Sequence, residues 1–250
     1  MKAILPSLAI AIATLPAVAP AEEAMIKIDA ASERVLTEAC SYLRRATRFS
    51  FDADIEYEDI LLDGTVVTYH RQYDMAVERP DKLRVDVTDD KGARSFIVNA
   101  EGIVVYRPES NVYATLQADG PLDARIAKAE ELGLVLPLSD VVHSKPCSDL
   151  VATMHSATYA GRHFLDGGFV HHLLIETDFT DVQLWIDDDE TPEIARLVIQ
   201  YRELPGQPRF SARLDNWDID AGQLDPFSFT PPPGASRVEF RRPAAANGDQ

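Results

Sequence analysis

Alternation of apolar and polar residues is the clearest pattern in this chain, and it is strongest between Phe49 and Ile60. Successive side chains of a β-strand point to opposite faces, so the pattern predicts a long strand with one apolar face and one acidic face. Strands of this length generally belong to a twisted, curved sheet. The apolar face of such a sheet needs a helix, a second sheet or a ligand against it.

The same alternation, separated by turn signals such as Asp63-Gly64, continues in two blocks on either side of a helical segment. The first block predicts strands over 49–60, 65–78, 82–87, 93–99, 103–107 and 112–117. The second predicts strands over 155–164, 169–178, 182–187, 194–201 and 208–218, with a last piece at 236–240. Together they make about 11 strands with the short, even spacing of an antiparallel sheet.

Two segments have helical spacing instead. Apolar residues three or four positions apart predict a helix over 26–47. Residues 121–154, called the insert below, begin at Pro121, which suits a first helical turn, and contain Ser139 and Ser148, which can cap two short helices. Because the helices interrupt the strands rather than alternate with them, the fold class is α+β. We expect one strongly curved antiparallel sheet, a half-open barrel, with helix 26–47 and the insert on its concave face.

The start of the chain predicts export. A charged Lys2, a short apolar run and the small residues around Pro20 have the order of a signal peptide over residues 1–21, cleaved near Ala21. A transmembrane anchor is the alternative, but the apolar run is shorter than the ~20 residues that a spanning helix needs. We therefore expect a periplasmic protein without a transmembrane segment, with 22–240 as a single domain and 241–250 as a disordered tail.

Charge and cysteine content add two expectations. The formal net charge of −17 disfavours nucleic acid and anionic lipid surfaces as direct partners. The chain contains two cysteines, Cys40 and Cys147, and unpaired thiols are uncommon in an oxidising compartment. A Cys40–Cys147 disulfide would close a loop of about 108 residues, worth ~4–5 kcal/mol on the chain-entropy model. Two buried free thiols are the alternative.

Catalytic and metal-binding motifs are absent or weak. The sequence has no nucleophile elbow, metalloprotease helix, P-loop or dinucleotide fingerprint. His171 and His172 are neighbours on a predicted strand and face opposite sides, and the other histidines lack ligand-like spacing with cysteine or carboxylate. The acidic run Asp187–Glu190 indicates a solvated hairpin turn. We expect no metal, no cofactor and no enzymatic activity.

The apolar residues carry the positive signal, because the insert contains a proline-broken apolar run, Leu134–Leu138. These residues belong either to one ordinary core or to a lid over an incompletely filled concave sheet. The second interpretation leaves a cavity for an acyl chain or another apolar ligand. The candidate lining residues are Tyr57, Leu134, Leu136, Leu138, Val141 and Trp185.

Several phrases, taken in order, resemble a known family. They are Glu78-Arg79-Pro80-Asp81-Lys82-Leu83-Arg84, Leu136-Pro137-Leu138-Ser139-Asp140, Tyr159-Ala160-Gly161, His172-Leu173, Val182-Gln183-Leu184-Trp185-Ile186, Ile199-x-Tyr201 and Phe227-Ser228-Phe229-Thr230-Pro231-Pro232. The set resembles the predicted periplasmic proteins of domain-of-unknown-function family 2092. That family often has a cysteine two residues before the His-Leu pair, where this chain has Val170, so the resemblance supplies no disulfide and leaves Cys40 and Cys147 as the candidates.

The layout is similar to that of lipoprotein carriers and receptors of the LolA/LolB type. This resemblance implies a half-open barrel whose helices cover an apolar cavity that binds acyl chains. The expected function is therefore a periplasmic binding or carrier protein for a lipid or lipoprotein acyl chain. The alternative is a sensor or interaction module of envelope homeostasis on the same fold, with a filled core and another envelope protein as its partner.

Overall fold

The computed structural model describes residues 27–134, 138–219 and 227–240 of the 250-residue chain. The predicted signal peptide, Leu136 and the predicted tail lie outside these ranges. The described helices are Ala30–Arg45 (α1), Leu122–Glu131 (α2), Ser139–Val142 (α3) and Ser148–Thr153 (α4). None of them is long and apolar enough to cross a membrane.

The described strands all belong to one sheet. They are Lys27–Ile28 (β1), Arg48–Ile60 (β2), Val66–Glu78 (β3), Lys82–Asp89 (β4), Gly92–Asn99 (β5), Gly102–Arg107 (β6), Val112–Leu116 (β7), Met154–Leu165 (β8), Gly168–Thr177 (β9), Thr180–Asp187 (β10), Ile194–Tyr201 (β11), Arg209–Ile219 (β12) and Ser236–Arg237 (β13). Their order is β1-β8-β9-β10-β11-β12-β2-β3-β4-β5-β6-β7-β13. The two predicted blocks of strands therefore meet where β12 pairs with β2.

The sheet is curved and unclosed, and the predicted α+β half-barrel is confirmed. Its described strands number 13 rather than about 11. The addition is β1, which pairs in parallel with β8 at one edge of the sheet, while the predicted last piece at 236–240 contains β13, which pairs in parallel with β7 at the other edge. Each of these edge strands is two residues long, and β1 is too short to have a detectable periodicity.

The alternation in β2 places its apolar residues in the core. Phe49, Phe51, Ala53 and Ile55 are all buried, whereas the acidic residues between them are partly or fully exposed. The ring of Phe51 stacks on that of Trp217 in β12, with 4.4 Å between the ring centroids. This row of buried side chains is the inner face of the sheet.

Helix α1 lies against that inner face, and Asp29 determines where it begins. One carboxylate oxygen of Asp29 accepts a bond from the backbone N–H of Ser32 at 2.8 Å, which is an N-cap bond. The other oxygen accepts from the N–H of Tyr159 in β8 at 2.6 Å. The helix is therefore shorter than the predicted 26–47, because residues 27–28 pair with β8 instead.

Arg79 ties the insert to α1. Its guanidinium donates to the carbonyl oxygens of Leu43 and Ala46 at the end of α1 and of Val141 and Val142 in the insert, at 2.6–3.2 Å. These bonds satisfy carbonyls that a helix terminus leaves without partners. Burial lowers the pKa of Arg79 to about 10. A partly buried cation thus holds two elements together through their backbone.

A covalent bond makes the same connection. Cys40 of α1 and Cys147, which precedes α4, are joined by a disulfide across a sequence separation of 107. The loop that it closes contains β2 to β7 together with α2 and α3. The insert is therefore attached to the N-terminal helix both by this bond and by Arg79.

Candidate ligand-binding cavities

A cavity of about 600 Å³ lies between the insert and the inner face of the sheet. We call it the apolar cavity. Its volume falls in the range of ~300–1,000 Å³ that is usual for small-molecule sites. The apolar residues that line it come from α1, the insert and the sheet, and they include Leu43, Leu138, Val141, Leu150, Val182, Leu184, Ile194, Leu197, Ile199 and Phe210.

The sheet wall of the apolar cavity is built from cross-strand pairs. Leu184 of β10 is opposite Leu197 of β11, and Val182 is opposite Ile199. Ile199 is in turn opposite Phe210 of β12. Because residues in register across neighbouring strands share a face, these side chains form one continuous apolar surface.

Three of the predicted lining residues, Tyr57, Leu138 and Val141, border the apolar cavity. Leu134 borders a different cavity, and Leu136 lies outside the described residues. Trp185 is on the wrong face of the sheet. Its ring stacks on His172, with 4.2 Å between centroids, and its strand neighbours Leu184 and Ile186 are the buried ones.

The Trp185 error has a simple cause. The alternation Val182, Leu184, Ile186 already assigns the even-numbered residues of β10 to the core. The same parity includes Leu184, which was missed as a lining candidate, whereas Leu197 of β11 follows only from its pairing with Leu184. Aromatic character was the weaker guide here, because an amphipathic ring also packs well on an outer face.

The insert wall has unusual backbone geometry. Leu138 and Cys147 both border the apolar cavity and both have left-handed backbone angles, with φ of 67° and 64°. Residues other than glycine rarely adopt this backbone conformation. Burial raises the pKa values of Asp140 and Tyr201, two further lining residues.

Tyr57 and Arg71 form a polar pair at one side of the apolar cavity. Arg71 Nη2 donates to the Tyr57 hydroxyl at 2.8 Å, and its guanidinium carbon lies 4.2 Å from the centroid of the Tyr57 ring. Tyr57 in turn stacks on Tyr69 at 5.4 Å. The other charged residues at the border are mainly acidic: Glu58, Asp59, Glu130 and Asp140, with Arg209 as the exception.

A second cavity, of about 590 Å³, lies on the inner face of β3 to β7. Its apolar lining includes Val85, Val87, Phe96, Val105 and Leu134, and the segment 238–240 closes one side. It also contains Arg71, Arg94 and Arg107, so we call it the arginine cavity. Arg71 lines both cavities.

One group of possible metal ligands differs from the sequence expectation. Asp140, His143 and Asp149 each place one ligand atom within 4.8 Å of the others. A structural zinc site generally takes four protein ligands, and Asp149 is exposed. We assign no ion to this group.

A curved, unclosed sheet whose helices cover an apolar cavity offers a site of the size and lining that small apolar molecules occupy. Residues 32–241 match the model of the family described as "Predicted periplasmic protein (DUF2092)". The chain belongs to this family, and the predicted resemblance is confirmed. No curated protein matches the chain.

Solved structures with a similar fold include two mycobacterial proteins. Lipoprotein LppX from Mycobacterium tuberculosis has 14% identity, with 79% of this chain and 100% of that chain covered and a TM-score of 0.50. LprF from Mycobacterium bovis has 12% identity, with 80% and 99% covered and the same TM-score. A LolA superfamily protein from Nitrosomonas europaea has 10% identity, with 76% and 94% covered and a TM-score of 0.35. At such identities the likeness concerns the fold alone.

Proposed function

We propose that this chain is a periplasmic binding or carrier protein for an apolar ligand such as a lipid or lipoprotein acyl chain. The observation that carries the proposal is the apolar cavity, a volume of about 600 Å³ that the surrounding side chains leave open. This space supports the carrier function over the alternative, a sensor or interaction module with a filled core. The family description and the signal-like start of the chain support a periplasmic location.

The binding energy expected from the cavity is of the same order as the cost of association. Each buried methylene contributes about 0.8 kcal/mol, so an alkyl chain of twelve carbons contributes about 10 kcal/mol before other costs. Loss of translational and rotational freedom opposes this by about 4–15 kcal/mol. A twelve-carbon chain offsets that cost only where the cost lies in the lower part of this range, so longer chains should bind more tightly.

The proposal is tested by filling the cavity. Leu197→Trp places a large ring at a buried position of the lining, whereas Leu174→Trp makes the same change at a residue of β9 that is 39% exposed. A neutral probe whose fluorescence rises in apolar surroundings, N-phenyl-1-naphthylamine, reports uptake. We expect saturable uptake by the unmodified protein and by Leu174→Trp, and uptake by Leu197→Trp that is weaker by about tenfold, equivalent to ~1.4 kcal/mol.

Thermal unfolding of each variant provides the check on folding. If the unmodified protein shows no saturable uptake, or if the two folded tryptophan variants bind the probe equally well, the carrier function is wrong.

A further inference from the structure

The arginine cavity contrasts with the rest of the molecule. The chain has a formal net charge of −17, yet three guanidinium groups face this one apolar space. They do so by strand parity, since Arg71 shares its face with Tyr73, and Arg94 with Phe96, all of which line the cavity. The single carboxylate among the described lining residues is Glu239.

Asp89 neutralises part of this charge from beside the cavity. Arg94 Nη2 donates to Asp89 Oδ2 at 2.7 Å, and Arg71 Nε lies 3.2 Å from the same oxygen. The bond from Arg94 lowers the pKa of Asp89 to about 2, so this carboxylate is ionised throughout the physiological range. One carboxylate thus serves two arginines, and with Glu239 counted as well, three guanidinium groups face two carboxylates, which leaves one net positive charge.

Arg107 is the third arginine of the cavity, and the carboxylate nearest to it in sequence, Glu109, bonds to a backbone group outside the cavity. Glu109 attracts Arg107, but its carboxylate accepts a 2.6 Å bond from the backbone N–H of Ala93 and does not line the cavity. Guanidinium groups bind carboxylate and phosphate through paired hydrogen bonds. The side chains of Arg71 and Arg94 are 24% and 15% exposed and lie beside apolar walls that solvate charge poorly, whereas Arg107 is exposed at the end of β6.

Arg71 connects this observation with the proposed function. It lines both cavities and packs on Tyr57 at the border of the apolar one, whose other charged residues are mainly acidic. An alkyl chain in the apolar cavity would therefore place a head group at its Arg71 side next to Arg94 and Arg107.

We infer that the ligand is an anionic amphiphile: its alkyl chain occupies the apolar cavity, and its carboxylate or phosphate head group binds Arg71, Arg94 and Arg107. This inference rests on the proposed function and adds the chemical class of the head group. It also refines the expectation from net charge. The acidic exterior still disfavours an anionic membrane surface, but a single anionic molecule finds a basic site in the interior.

The test compares ligands that share a chain and differ in the head group. Laurate, dodecyl phosphate and 1-dodecanol compete with N-phenyl-1-naphthylamine on the unmodified protein, on Arg94→Gln/Arg107→Gln, and on Arg84→Gln/Arg213→Gln. The last variant removes the same charge from residues outside both cavities, where Arg84 pairs with Asp86 and Arg213 with Asp54.

We expect the anions to displace the probe from the unmodified protein and from the outer-face variant at concentrations about tenfold below that of dodecanol. In Arg94→Gln/Arg107→Gln this preference should vanish while displacement by dodecanol stays the same. The ligand that displaces the probe at the lower concentration then identifies the source of the head group. Laurate would indicate a fatty acid, and dodecyl phosphate would indicate a phospholipid.

The two ideas fail in different ways. If dodecanol competes as well as laurate and dodecyl phosphate, the head-group site is wrong while the carrier function stands. If no probe is taken up, the carrier function itself is wrong. Should the double variant not fold, Arg107→Gln alone, at an exposed strand end, must still reduce the anion preference.

Discussion

Removing the Cys40–Cys147 disulfide should destabilise the protein by about 4–5 kcal/mol, since the chain-entropy cost of closing a loop of about 100 residues is about 4.7 kcal/mol. The sequence separation is 107, and the loop contains six strands of the sheet. The perturbation is the double variant Cys40→Ala/Cys147→Ala. Domains of this kind are generally stable by only about 5–15 kcal/mol, so the change is a large share of the total.

The assay is equilibrium unfolding in urea, followed by the fluorescence of Trp185 and Trp217. The double variant should unfold at lower urea, and its slope should rise because the unfolded chain without the crosslink exposes more surface. Unmodified protein with reductant is the control and should match the double variant. A loss of stability below about 1 kcal/mol would refute the reasoning, because the loop would then leave the unfolded chain nearly unconstrained.

Two further predictions concern the core and the pH dependence. Phe51 is 1% exposed and stacks on Trp217, so Phe51→Ala should cost about 3–5 kcal/mol in urea unfolding, whereas Leu62→Ala, at a fully exposed residue, should cost less than about 0.5. Equal losses of unfolding free energy in the two variants would contradict the burial of Phe51. Burial raises the pKa values of Glu193 to about 7 and of Asp187 to about 6. The folded state therefore binds more protons than the unfolded chain, and these groups should raise the melting temperature as the pH falls from about 8 to about 5.5. Glu193→Gln should flatten that profile in a thermal scan, and an unchanged slope would count against the assignment.

The alternation of apolar and polar residues was enough to predict most of the strands. The alternation from Phe49 to Ile60 predicted β2 to within one residue, because a strand that is buried on one side repeats every two residues. The bounds of β11 were predicted without error for the same reason. The edge strand β1 could not be predicted, since its partner β8 is distant in sequence, whereas β13 lies at the start of the predicted piece 236–240.

The sites were harder to predict than the elements. Tyr57, Leu138 and Val141 border the apolar cavity as predicted. Trp185 does not, because the even-numbered residues of β10 face the core and Trp185 faces the other side. The arginine cavity depends on the register of five strands, which brings side chains together from Arg71 to Arg107. The net charge of −17 does not predict this group of three arginines, because the pairing of strands, and not composition, brings them to one face of the sheet.

Native mass spectrometry of the protein purified from the periplasm, without detergent or denaturant, tests the open cavity most directly. A volume of about 600 Å³ lined by leucine, isoleucine and valine side chains should retain an apolar molecule during purification. We predict a spectrum with a species heavier than the polypeptide, whose added mass is released into organic solvent and identified there as an alkyl-chain compound. A spectrum with the bare polypeptide alone, from protein that also fails to take up a neutral apolar probe, would contradict a cavity that holds a ligand.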